Sequence, residues 1–136
     1  MSVSKVYRHR IVIGPEAIDA NGHVNNVEYV RWMQEAAIAH SDHRGLNDAL
    51  YSELGGTWVA RSHFIEYLRP SFAGEALLVE TWIADFGRSR SKRQYRFLRE
   101  ADEKELARAE TQWVYVSRET GKPVPIHQRI MDKFLG

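Results

Sequence analysis

The chain has 136 residues, 43% of them hydrophobic and 27% charged, values of a folded globular protein rather than a disordered one. Its 19 basic and 18 acidic residues leave a net charge of +1, which argues against broad nucleic-acid binding driven by phosphate neutralisation. The absence of cysteine removes disulfides and thiol catalysis together and fits a cytoplasmic protein. No apolar run is long enough to span a bilayer, so no membrane partner is expected, and Met1-Ser2-Val3-Ser4-Lys5 lacks an apolar leader core. One domain covering residues 1–136 is expected at this length.

Residues 6–13 are β-branched and aromatic with partial alternation, and Gly14-Pro15 stops them, which predicts a first strand. Val27, Val30, Trp32, Met33, Ala36, Ala37 and His40 then recur at helical spacing, with Gly45 as a stop. One helix is predicted over about 26–43, with an apolar face buried along its length. Residues 57–69, 75–86, 89–99 and 104–117 read as four longer strands. The breaks at Ser71 to Gly74, Gly87 and Ala101 to Glu103 are short and turn-like, so a meander is expected. A short terminal helix is expected within 125–135. The order strand, helix, four strands suits an α+β architecture in which a curved antiparallel sheet covers one long helix.

Chemistry concentrates at the entrance of that helix, in Asp19-Ala20-Asn21-Gly22-His23-Val24-Asn25-Asn26-Val27-Glu28-Tyr29. A carboxylate just ahead of a helix N-terminus sits beside unpaired backbone N–H groups that can hold an anion. A base or nucleophile beside an oxyanion site is the minimum equipment for acyl transfer. Asp19 could equally cap a turn, and Asn21 and Asn25 suit turns and caps. No Gly-x-Ser-x-Gly elbow offers a serine nucleophile. Arg88-Ser89-Arg90-Ser91-Lys92-Arg93 is too small for a duplex footprint but large enough for one phosphorylated ligand; its other reading is a solvated strand face. His40 and His43 share a helix face, but no further ligands accompany them and no metal is expected. Trp32, Met33, Trp58 and Trp82 read first as core.

With its elements in this order, the chain resembles hotdog-fold acyl-CoA thioesterases of the 4-hydroxybenzoyl-CoA thioesterase type over nearly its whole length. The matching pieces are the Asp19 to Tyr29 segment, Tyr67-Leu68-Arg69-Pro70 and Phe86-Gly87-Arg88-Ser89-Arg90-Ser91. His23-Val24-Asn25-Asn26 is also similar to plant acyl-acyl-carrier-protein thioesterases. The resemblance implies a hotdog fold, a five-stranded antiparallel sheet wrapped around one central helix. It implies Asp19 as nucleophile or general base, Gly22 as the residue letting the loop approach the thioester, and the Asn26 backbone N–H as oxyanion donor. Arg88, Ser89 and Arg90 match the segment that contacts coenzyme A phosphates. Coenzyme A is then part of the substrate and no separate cofactor is expected. Sites built across a dimer interface are implied, with a homodimer or homotetramer as the assembly.

In that setting His23 either bonds a backbone carbonyl, or orients the attacking water or stabilises developing charge. Tyr29 and Trp58 are the candidates for the acyl tunnel. Two other functions compete. A hotdog enoyl-CoA hydratase or dehydratase resembles Asp-x-Asn-Pro-x-His, whereas here Gly22 replaces the proline and His23 lies four residues after Asp19, not five. A non-catalytic acyl-CoA-binding module would have no need of Asp19.

Overall fold

A computed structural model describes residues 4–136; Met1 to Val3, part of the segment read above for a leader, lie outside the described residues. The chain forms β1 (Tyr7–Val12), a 3-10 turn (Pro15–Ala17), α1 (Asn26–His43) and α2 (Asp48–Leu54), then β2 (Gly56–Tyr67), β3 (Ala76–Phe86), β4 (Arg90–Arg99), β5 (Glu105–Ser117) and α3 (Gln128–Leu135). The strands make one five-stranded antiparallel sheet in the order β1-β3-β4-β5-β2. No helix among the described residues is long and apolar enough to cross a membrane.

The sheet wraps α1 because each strand presents an apolar row inward. Leu77, Val79 and Ile83 of β3 and Tyr95 and Phe97 of β4 are buried at alternate positions, as the two-residue strand period requires. Register shifts at Ala60/Ser62 in β2 and Ile83/Asp85 in β3 add a residue to one strand, which bends it and increases its twist. Against this concave face α1 buries Tyr29, Trp32, Met33, Ala36, Ala37 and His40. Val27, counted above on the apolar face, is instead 66% exposed; the helical period turns it away from the side that carries Tyr29, Met33, Ala36 and His40.

Three further features depart from the sequence pattern. The strands do not form one meander: β3, β4 and β5 do, but β2 pairs with β5 at the far edge, so the 68–75 link crosses the end of the sheet. Its backbone bonds show the route, with Leu68 N and Arg69 N donating to Leu106 O, Val24 N to Ser71 O, and Gly74 N to Ile13 O. Second, the pattern assigns no element to 48–54, yet α2 forms there. Asn47 caps its start by accepting from Leu50 N at 2.9 Å, and Gly55 ends it in the left-handed conformation at φ +77°. Third, Trp82 sits opposite Gln94 on the outer face of the sheet, not in the core.

The core has two apolar halves. One gathers Tyr29, Trp32 and Met33 against Val79, Phe97 and Ala107; the other gathers Leu46, Tyr51, Ile83, Tyr115, Ile130 and Phe134 around α3. Between them lies a buried polar layer of His40, Thr81 and Arg93. Arg93 Nη1 donates to His40 Nδ1 at 2.8 Å and to Thr81 Oγ1 at 3.1 Å, and the guanidinium lies over the Phe134 ring. The His40 ring also stacks on Tyr7.

His40 must be neutral to accept that bond. Burial, then the charges of Arg93 and Arg44 and the neighbouring His43, lower its pKa from 6.5 to about 3. A lowered folded-state pKa means that the unfolded chain binds the proton first as pH falls. The stabilisation is therefore complete above pH 6.5 and is lost toward pH 3, at up to ~1.4 kcal/mol per pH unit. Urea midpoints at pH 6.5 and 4.5 test this. The wild type is expected to lose roughly 2 kcal/mol more over that interval than His40→Gln; equal losses would show that His40 is not the titrating group.

Candidate active site

The Asp19 segment folds as a closed turn delivered to the start of α1. Ile18 and Val24 form an isolated antiparallel bridge, Asp19 N donates to His23 O at 2.8 Å, and Gly22 N donates to Asp19 O at 3.1 Å. The turn needs a left-handed residue, and Gly22 supplies it at φ +79° with no atom within 4 Å of where a Cβ would sit. Inside the turn, Asp19 Oδ1 accepts from Asn21 N at 2.9 Å and His23 N at 3.3 Å. Asp19 Oδ2 has no hydrogen-bond partner among the described residues. The carboxylate is thus held by one oxygen and presented by the other.

Neighbouring bonds fix the turn relative to the helix. Asn25 N donates to Ala17 O, Val24 N to Ser71 O, and the Tyr29 and Ser71 hydroxyls bond at 2.8 Å. Asn25 is the N-cap, its Oδ1 accepting from Val27 N at 3.0 Å, and Tyr67 donates to Asn26 O at 3.3 Å. The Asn26 N–H meets no acceptor among the described residues, one of the orphan donors that every helix start leaves. His23 is exposed, and its ring stands edge-on to Phe72, 5.8 Å away; only its backbone N–H touches the Asp19 carboxylate.

A cavity of about 680 Å³ opens at the other half of α1, between that helix, β2 and α3. Trp58, Trp113, Ala37, Ile38 and Phe134 supply apolar walls, and Arg93 reaches it from β4. Trp58 is oriented by its indole N–H, which donates to Tyr51 Oη at 3.0 Å. The β3–β4 turn lies at the same end of the sheet. Its backbone is tied down, Ser89 O accepting from Tyr115 N and Arg88 O from Ile126 N, each at 2.7 Å, while the Arg88 and Arg90 side chains are exposed.

The structure therefore brings Asp19, Gly22, His23 and Asn26 together at the start of α1. Trp58, Arg88, Ser89 and Arg90 gather at the opposite end, with the cavity. Tyr29 joins neither group. It is 3% exposed, packed among Trp32, Tyr67 and Phe97 with its hydroxyl on Ser71, a core residue rather than a wall of that cavity. At 1.5 Å per residue, the helix separates Asn26 from the cavity-lining Ala37 by roughly 16 Å. Within one chain the carboxylate and the cavity do not meet.

Sequence reasoning missed Arg93. Read as part of a basic run, it looks solvated; read by strand parity with buried Tyr95 and Phe97, it points inward. Only 4% of it is exposed, and burial lowers its pKa, although a guanidinium stays charged in proteins.

No curated protein matches the chain in sequence. Solved structures resemble it closely in fold. One is a 1,4-dihydroxy-2-naphthoyl-CoA thioesterase from Synechocystis, 19% identical over 96% of both chains, with a TM-score of 0.87. A DHNA-CoA thioesterase from Staphylococcus aureus is 20% identical over 97% of this chain and 86% of that one, TM-score 0.83. A second Staphylococcus aureus protein, solved in complex with CoA, is 16% identical over 98% and 84% of the two chains, TM-score 0.88. At these identities the likeness establishes the hotdog fold. The sequence profile of the Thioesterase-like superfamily matches residues 13–134, which is most of the chain, and the protein belongs to that superfamily.

Proposed function

We propose that the protein is an acyl-CoA thioesterase of the 4-hydroxybenzoyl-CoA thioesterase type, working as a dimer or as a tetramer of such dimers. The observation that carries this reading is the Asp19 carboxylate, pinned through Oδ1 with Oδ2 free, beside the unpaired Asn26 N–H at the start of α1. A thioester needs little more. Its carbonyl is electrophilic and its thiolate leaves readily, so positioning water and stabilising the oxyanion do most of the catalysis. Asp19 Oδ2 takes a proton from water, the hydroxide adds to the carbonyl carbon, and the Asn26 N–H holds the resulting oxyanion. Collapse expels the coenzyme A thiolate, which recovers the proton from Asp19. Direct attack by Asp19 through a mixed anhydride uses the same atoms.

The dimer follows from β2. It is a twelve-residue edge with unpaired backbone groups, and Val59 and Phe64 on it and Ile38 on α1 are 49%, 63% and 63% exposed. Such an edge pairs readily with a second copy. Antiparallel pairing about the Arg61 bulge sets Trp58–Ala60 of one β2 opposite Ser62–Phe64 of the other, and Gly56 opposite Glu66 beside Tyr67. Tyr67 is bonded to Asn26, so each Asp19 turn approaches the cavity of the other copy. Arg88 and Arg90, with Ser89 between them, would then meet the phosphates of coenzyme A or of a carrier-protein pantetheine. Hydrolysis is favoured over hydration because the His23 ring stands edge-on to Phe72 and makes no bond to the Asp19 carboxylate.

Asp19→Asn keeps an oxygen for the turn amides but cannot accept a proton. It is expected to unfold at the wild-type midpoint while losing at least ~10²-fold in kcat on the best acyl-CoA; near wild-type turnover would remove Asp19 from the chemistry. Asp19→Ala also loses the turn acceptor and is expected to cost about 1 kcal/mol of stability.

Arg88→Ala and Arg90→Ala are expected to raise KM for acyl-CoA by roughly five- to tenfold with kcat little changed, because a phosphate contact is the same in ground and transition states. The matching pantetheine thioester, which lacks the nucleotide, should show no such loss. Equal losses on both substrates would assign these arginines another role.

Light scattering coupled to size exclusion is expected to find activity only in a dimer or larger species. Phe64→Glu on the β2 edge should reduce association and activity together, and a fully active monomer would overturn the shared site.

A further inference from the structure

The cavity holds a charge that the fold does not neutralise. Arg93 is 4% exposed, and no Asp or Glu among the described residues lies within ion-pair distance of it. Its hydrogen bonds all leave from Nη1, to a neutral imidazole and a hydroxyl; Nε and Nη2 donate to nothing among the described residues. Leaving a guanidinium buried without a counter-ion costs several kcal/mol, so such a site favours an anion that restores the pairing. The carboxylates on the cavity wall do not serve: Asp42 and Asp48 are exposed, and Asp48 pairs with Arg118 at 2.9 Å. The lining is mainly apolar, from Ala37, Ile38, Trp58, Trp113 and Phe134, with Ser41, Thr57 and Ser91 among its polar members. A ligand suited to this cavity has a hydrocarbon body and a planar anion at its far end.

We infer that this cavity recognises the acyl group and that Arg93 Nε and Nη2 receive a carboxylate at the distal end of the chain. The substrate class is then the ω-carboxyacyl thioester, a dicarboxylic acid joined to coenzyme A through one of its two carboxyls. This rests on the thioesterase reading for the reaction, but not for the anion site. A guanidinium offers two parallel N–H donors in the plane of a carboxylate, the geometry of a bidentate pair. His40 acts as a positioning residue. Its neutral Nδ1 and the Thr81 hydroxyl occupy Nη1, which orients the guanidinium so that its other edge is free for the ligand. A methyl-terminated acyl group of equal length would leave the arginine unpaired. Discrimination against a ligand that leaves a buried polar group unmatched is large, on the order of 10-fold or more.

The test uses the intact wild-type protein and the variants Arg93→Met and Arg93→Gln, and it has two arms. In the first, kcat/KM is compared for succinyl-, glutaryl-, adipoyl- and suberoyl-CoA against the methyl-terminated acyl-CoA of matched length. The wild type is expected to prefer the carboxylated member by at least about 10-fold at one length, and both variants to bring that ratio to one or below. In the second, calorimetry measures binding of free adipate and of hexanoate, with no reaction involved. Adipate is expected to bind the wild type, hexanoate much more weakly, and neither variant to keep the difference. Hydrolysis without a carboxylate preference, in a wild type that ignores adipate, would overturn this inference and leave the thioesterase reading intact. Adipate binding that needs Arg93, with no acyl-CoA hydrolysed, would do the reverse. If both variants fail to fold, the wild-type ratio and the adipate titration still decide.

Discussion

One helix has to be covered by one sheet, and nearly every other feature follows from that constraint. α1 is 18 residues long and packs against β3 and β1. Its inward stripe must meet apolar rows on strands that curve, and curvature requires bulges. Those in β2 and β3 fall where the strands bend toward the cavity end of the helix. A sheet wrapped in this way cannot close on itself with five strands, so it ends in an edge. Of its two outer strands, β1 and β2, β2 is the longer, and the bulge at Arg61 sits in the middle of it. Fold, cavity and unsatisfied edge are three consequences of the same packing problem.

The helix start and the helix middle are built on different terms. At the start, the chain uses its polar side chains locally: Asn25 caps α1 and Asp19 holds its own turn, through bonds that span two to four residues. They leave over Oδ2 of Asp19 and the N–H of Asn26, and one longer bond, Tyr29 to Ser71, ties the helix to the crossing link. In the middle, the polar groups come from distant strands and are buried. Arg93 reaches His40 across 53 residues of sequence and Thr81 across 12, so the layer exists only once the sheet has closed over the helix. Its neutral imidazole is a consequence of burial, and its unmatched charge is a feature that a purely structural core would have replaced by an apolar side chain at little loss.

The difference between local and distant contacts also explains what could be read from the residues alone. α1 appears in the sequence with its observed ends, because the period of Trp32, Met33, Ala36 and Ala37 and the asparagines before them are local signals. The clustering of Asp19, Gly22, His23 and Asn26 was legible for the same reason, being one turn and the first helical residue. The crossing at 68–75 was not. Ser71 to Gly74 has the composition of a hairpin, and nothing nearby records that β5 offers β2 a better partner than β3 does. α2 escaped because Leu50, Tyr51 and Leu54 make an apolar pattern of only two turns, too short to stand out, and its ends rest on Asn47 and Gly55. Tyr29 looked like a tunnel residue by position, but its side chain turns into the Trp32 and Phe97 cluster.

Arg93 marks the boundary of that legibility. Parity along β4 was enough to turn it inward, yet a cationic run hides a single inward member among outward ones, since charge composition carries no direction. Once its position is known, the logic of the molecule shifts. The exposed arginines at the turn, Arg88 and Arg90, face water and can be matched by phosphates from solvent at little desolvation cost. Arg93 cannot, because whatever matches it must first enter the cavity and leave its own hydration behind. Two cationic groups a few residues apart on one strand and its turn therefore differ in what can reach them: the outer pair is open to water, and the inner one only to what enters the cavity.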